Sequence, residues 1–173
     1  MAERDRPPSP ARSDDSERAT RRVLAGAATF ALVGLVLQAW RLEVLQASMD
    51  QGIFLQVLSN GLRGDPFEST LSSQLSTNVI HAGQLPALGY HRLGQHFTPI
   101  LVLWMPLVGL LGSWALPVVQ VGLMTAAGLV LYRLALQRLQ PGPASWIALS
   151  FFGANAVLGP TWGNFTDLCQ LPL

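Results

Sequence analysis

The chain has 173 residues, half of them hydrophobic and only 12% charged, with a formal net charge of +1 and a positive mean hydropathy. A soluble domain of this size carries about a quarter charged residues, so the composition points to a membrane protein. Every basic residue is arginine and no basic stripe interleaves with aromatics, which excludes nucleic acid as a partner. The single cysteine, Cys169, excludes an internal disulfide framework and a Cys-rich metal site.

Charge placement sharpens this reading. No Asp, Glu, Lys or Arg lies between Leu93 and Tyr132, or between Leu139 and Thr166. Nine acids fall at or before Glu68, and the tenth is Asp167. Long charge-free stretches with scattered Gly, Ala and Trp read as helices embedded in a bilayer.

Residues 1–20 are polar, with Pro7, Pro8, Pro10 and mixed charges, and are expected to be a disordered cytoplasmic tail. Arg18, Arg21 and Arg22 abut the first apolar run, 23–40, whose 18 residues just span about 30 Å of hydrocarbon. That run exceeds a signal-peptide core and no A-x-A site follows it. The arginine cluster predicts a cytoplasmic N-terminus in the plasma (inner) membrane and sends Arg41 outside.

Residues 41–97 form a polar, extracytoplasmic loop with three arginines and four acids. Within it, "SMDQGIFLQVLSNG" predicts a short amphipathic helix. Ser48 and Gln51 fit a capping box, and Asp50 falls in the first turn, where a carboxylate is favoured. Ile53, Phe54, Val57 and Leu58 share one face, and Gly61 follows Asn60 as a stop. The Ser/Thr-rich "ESTLSSQLSTN" that follows has little helical pattern.

From Phe97 two topologies are open. "FTPILVLWMPLVGLLG" offers about 14 apolar residues and two prolines, short for a span and suited to an interfacial or re-entrant segment at 98–112. Residues 114–136 make a full-length second span that ends near Arg133 and Arg138, and the positive-inside rule places those arginines in the cytoplasm. "PGP" turns the chain, and 144–160 returns outward as a third span. The expected fold is therefore all-α and integral to the membrane, with three transmembrane helices and one interfacial helix. The alternative is four spans, with Asp167 on the side opposite Asp50. Three helices enclose little interior, so the sequence reads as the N-terminal portion of a larger polytopic fold.

A few polar residues stand out. Asp50, about ten residues beyond the first span, suits general-base or metal-ligand work at the membrane surface. The plainer reading is a helix cap. Asp167 ends a charge-free helix, where an ionisable group is a functional candidate unless it lies among solvated headgroups. His81, His91 and His96 share the outer segment, but the five-residue gap between His91 and His96 matches no common ligand spacing. Of the three, His96 sits where the chain re-enters the membrane. Arg92 is suited to pairing with Asp50, to gripping a phosphate, or to snorkelling at the interface. Gln56 and Asn164 join Arg92 as candidate substrate-binding groups, Asn164 opening an N-x-T sequon. Intramembrane polar residues that would line a transport pathway are limited to Gln120 and Thr125. The tryptophans near the helix ends read as an aromatic belt. No phosphate loop, G-x-S-x-G, H-E-x-x-H or C-x-x-C signal occurs.

"MDQGIFLQVLSNGLRGDPFESTLSS", "GQHFTPILVLWMPL" and "NFTDLCQLPL" together resemble a family of predicted bacterial membrane proteins, domain of unknown function 2079, with the likeness nearest its cyanobacterial-type members and running from about Trp40 onward. That family is similar to a branch of the glycosyltransferase C superfamily, polytopic enzymes that take a sugar from a polyprenyl-phosphate donor on the extracytoplasmic face. The resemblance implies that Asp50 in "MDQGIF" is the essential acid of the first external loop. It would bind or deprotonate the acceptor, with a divalent cation as a candidate helper. It implies a site role for His96 in "QHFTP" and for Asp167 in "NFTD". Where the family reads Asp-Phe-His, Leu168 and Cys169 follow Asp167 here, so the histidine's role has no carrier. The alternatives are a non-enzymatic, transporter-like membrane subunit and an inactive remnant.

Overall fold

A computed structural model describes residues 10–73, 90–92, 98–163 and 165, with side chains from residue 14 onward. The described chain is nearly all helical. Helix α1 (Pro10–Glu43) begins on a proline, whose missing N–H costs nothing in a first helical turn. The helix thus runs through the second half of the stretch expected to be disordered. It is held there because Ala19 is buried and Thr20 Oγ1 shares a 3.1 Å hydrogen bond with Tyr132 Oη.

Helix α2 (Met49–Gly61) follows a left-handed Leu45 and is capped as the sequence predicts. The Ser48 hydroxyl accepts the Gln51 backbone N–H at 3.1 Å, and Ile53, Phe54, Val57 and Leu58 are buried. A 3-10 turn (Pro99–Trp104), α3 (Met105–Leu111) and a second 3-10 turn (Gly112–Trp114) lead into α4 (Ala115–Leu136). Gly112 has φ +55°, a conformation that puts a kink between α3 and α4 at low cost only for glycine. The segment expected to be interfacial is thus helical, and it joins the second span in one kinked run.

Residues 141–163 form α5 (Pro141–Gly153) and α6 (Asn155–Gly163), separated by an extended Ala154. The expected single span at 144–160 is therefore two shorter helices with a break between them. Among the described residues, two helical runs are long and apolar enough to cross a membrane: Asp14–Glu43 and Pro99–Leu136.

Packing fixes the layout. Val23 of α1, Tyr132 of α4 and Ala144 and Ala148 of α5 form one buried cluster. Ala27, Phe30, Phe152 and Val157 form a second. The start of α1 therefore meets the end of α4 and the start of α5, so α4 runs antiparallel to the other two. The arginines at 18, 21, 22, 133 and 138 collect at one end, and α2 sits at the other, on the 3-10 turn, α3 and the start of α4. Leu32 and Val36 of α1, Leu134 of α4 and Trp146 of α5 point outward, as residues facing lipid do.

Candidate functional site

The end opposite the arginines carries the candidate site, and α2 is its platform. Asp50 lies in the first turn, exposed, one turn before Phe54 and on the same side of the helix. It has no ion-pair partner among the described residues. The pairing with Arg92 is thus not made.

Residues 67–69 and 90–92 come together beside α2. The Ser69 N–H donates to the Tyr90 carbonyl at 2.9 Å and the Arg92 N–H to the Phe67 carbonyl at 2.8 Å, with an antiparallel bridge between Glu68 and His91. Phe67 holds φ +66°, a strained conformation for a residue with a Cβ. Asn60 of α2 ties in the junction by donating to the Glu68 carbonyl at 3.0 Å.

Gln56 organises the next turn. Its side chain donates to Thr70 Oγ1 at 2.8 Å and accepts from Ser69 Oγ at 2.8 Å and from the Leu71 N–H at 3.2 Å. Ser69 in turn caps residues 70–73, which are helical, its hydroxyl accepting the Ser72 N–H at 3.1 Å. The Ser/Thr-rich stretch thus gains a helical turn that its pattern did not announce. The Gln56 amide is engaged in shaping the loop.

Arg92 is 6% exposed, so it is not an interfacial, snorkelling side chain. Its Nη1 donates to Ser72 Oγ at 3.1 Å, and its guanidinium lies 4.7 Å from the Phe54 ring centre. A cation over an aromatic face contributes about 0.5 to 2 kcal/mol when desolvated. Phe54 also meets Phe165 edge-on, with centroids 5.4 Å apart and planes at 70°. This contact holds Phe165, the last described residue, on the α2 platform.

A second device fixes the same segment from below. Gln38 of α1 donates to the Thr161 carbonyl at 2.8 Å. Gln120 of α4 donates to the Pro160 and Thr161 carbonyls at 2.6 and 3.1 Å. All three residues at the centre (Gln38, Gln120, Thr161) are at most 2% exposed. A helix end leaves its last carbonyls without intrahelical donors, and in a dry interior such groups need partners. The two amides supply them, closing the end of α6. Gln38 was not singled out in the sequence; its signal there is one amide inside an otherwise apolar run. Thr125 turns its hydroxyl to the Val121 carbonyl of its own helix at 2.7 Å.

The structure therefore brings Arg92, Gln56, Phe54, Phe165 and the Asp50 helix to one end of the molecule. His81, His96, Asn164 and Asp167 lie outside the described residues. His91 is exposed in its bridge. Among the described residues no group of three His, Cys, Asp or Glu side chains gathers.

No curated protein and no solved structure matches the chain. A family match covers α2, its loop and every later helix, from residue 41 to residue 173. The chain belongs to the family described as Predicted membrane protein (DUF2079).

Proposed function

We propose that this protein is a membrane enzyme of the glycosyltransferase C type that works on the extracytoplasmic face, moving a sugar from a polyprenyl-phosphate donor to an acceptor whose hydroxyl is deprotonated by Asp50. The observation that carries the reading is the platform itself. A short helix after the first span holds one exposed carboxylate, Asp50, a turn before Phe54, on whose ring the buried Arg92 guanidinium rests. A carboxylate and a cation carried on one platform suit a reaction in which a proton leaves an attacking hydroxyl while a phosphate departs. His96 and Asp167 are assigned to the same face, with Arg92, Gln56 and Asn164 on the substrate side.

The membrane arrangement belongs to the same proposal: three crossings (α1, the run ending in α4, and α5 with α6), with the arginine-rich end and the N-terminus cytoplasmic. The contact between Phe54 and Phe165 supports an odd number of crossings, because it keeps the end of the third on the side of α2. A transporter-like subunit is the second reading. Against it, Gln38, Gln120 and Thr125 all bond to backbone carbonyls and line no pathway.

The test is Asp50→Asn in the membrane-inserted protein, assayed for transfer of labelled sugar from polyprenyl-phosphate donors. Because Asp50 is exposed and has no ion-pair partner among the described residues, insertion and unfolding resistance should stay within about 0.5 kcal/mol of wild type, while transfer falls by at least a hundredfold. Wild-type transfer by the variant would refute the proposal.

A further inference from the structure

Two cavities lie one above the other along the seam between α1 and α5, far from Asp50. At the arginine-rich end, a cavity of about 340 Å³ is lined by Asp15, Arg18 and Arg22 of α1 and by Gln140, Gly142 and Pro143 at the start of α5. Deeper along the seam, an apolar groove of about 380 Å³ is lined by Gly26, Phe30 and Val33 of α1 and by Leu149, Phe152 and Trp162 across from them. Arg18, Arg22, Gly26, Phe30 and Val33 recur every three or four residues and so share one face of α1. From Arg18 to Gly26, and from Pro141 to Leu149, the chain descends about 12 Å, and Gly26 faces the Leu149 side chain. The apolar groove therefore begins on both helices at the same depth below the charged cavity.

The charged cavity is built to attract an anion. Arg18 and Arg22 have neither an ion pair nor a hydrogen bond to any described residue, in contrast to Arg21, which pairs with Glu17. The Gln140 side chain makes no cap hydrogen bond. Pro141 and Pro143 have no N–H, and the Ala144 N–H is taken by the Gln140 carbonyl, which leaves the Gly142 N–H at the positive end of the α5 dipole. Asp15 opposes these groups. Within this cavity two guanidiniums face one carboxylate, while Asp14 and Glu17 line the adjoining pocket with Arg18 and Arg21, a balance that suits a phosphodiester monoanion better than a phosphate dianion.

The geometry points to a binding site for one anionic glycerophospholipid, its headgroup phosphodiester held by Arg18, Arg22, Gln140 and the Gly142 N–H, and one acyl chain laid in the groove along Gly26, Phe30 and Leu149. A headgroup pocket above a collinear apolar groove, at the depth where arginines meet the bilayer surface, fits a lipid better than a free anion. The site is independent of the chemistry at Asp50.

Phosphatidylglycerol, phosphatidylcholine and the deacylated headgroup glycerophosphoglycerol, each titrated against the detergent-purified protein and read by native mass spectrometry, test this. Phosphatidylglycerol is retained and phosphatidylcholine is not. The double variant R18Q/R22Q weakens phosphatidylglycerol by about 30-fold, as expected for two surface arginines. Arg133→Gln, at the same end but outside the cavity, has no effect. Asp15→Asn tightens the lipid, a gain that a folding defect does not produce. Thr29→Trp, which fills the groove, weakens the lipid and leaves the deacylated headgroup unchanged. Equal retention of both lipids, equal affinity in R18Q/R22Q, or deacylated headgroup binding as tight as the lipid each overturns the proposal.

Discussion

Gln38 and Gln120, on two antiparallel membrane helices, donate to one and the same carbonyl, that of Thr161. Because both amides serve one acceptor, their contributions are coupled. Gln38→Leu and Gln120→Leu should each lower resistance to detergent unfolding by about 0.6 to 1.7 kcal/mol, the range found for interhelical hydrogen bonds in membranes. The double variant should lose more than the sum, because only then is the buried Thr161 carbonyl left without a donor. Strict additivity in a double-mutant cycle would show that the amides act separately.

Gly128 of α4 faces Phe152 of α5 so closely that a Cβ added there would lie 2.4 Å from the Phe152 ring. Gly128→Ala should therefore force the helices apart at a cost of about 1 to 3 kcal/mol. Gly122→Ala on the same helix, where nothing lies within 4 Å, should be neutral or slightly stabilising, since alanine favours helix. Thermal unfolding in detergent distinguishes the two. Equal effects would mean that α4 and α5 are not packed at Gly128.

Phe54 joins two aromatic interactions, with Arg92 and with Phe165. Phe54→Leu keeps the apolar bulk but removes the ring face, and should loosen the platform by about 1 to 2 kcal/mol. Arg92→Lys should not rescue function, because an ammonium lacks the planar guanidinium that stacks on the ring while reaching Ser72. Hydrogen exchange across residues 67–73 reads the loosening. Unchanged protection in Phe54→Leu would show that the ring is a passive filler.

Sidedness follows from the layout. With Cys169 replaced by serine, Arg63→Cys in the loop after α2 and Arg138→Cys after α4 should react with a membrane-impermeant thiol reagent from opposite faces. Labelling of both from one face would contradict the paired ends that Thr20 and Tyr132 and Phe54 and Phe165 establish.

What the sequence disclosed was what local chemistry decides. The Ser48 cap and the apolar face of α2 are encoded within four or five consecutive residues, and both stand as read. A proline such as Pro10 reads equally as a mark of disorder and as a helix start, and only packing against Tyr132 decides between them. Gln38 and Thr161 are 123 positions apart, and nothing local to either points to the other. Arg92 shows the same limit. Its three readings differed only in what surrounded it, and burial against Phe54 is a tertiary fact. The break at Ala154 lies in a stretch so uniformly apolar that periodicity is silent.

That break has a consequence for how the proposed third crossing would sit in lipid. Helices of 13 and 9 residues are about 20 and 14 Å long, and neither reaches across about 30 Å of hydrocarbon by itself. If α5 and α6 make the third crossing proposed above, the joint at Ala154 falls inside the hydrophobic slab; the Ala154 carbonyl accepts the Val157 and Leu158 N–H groups there, and the amide hydrogens of Asn155 and Ala156 are those the helix itself does not use. Bare peptide at that depth must be sheltered by protein or wetted. On that topology the exposed stretch around Asn155 is a thirsty spot on an otherwise oily wall, where a neighbouring helix or a local pinch in the bilayer would be recruited to quench it.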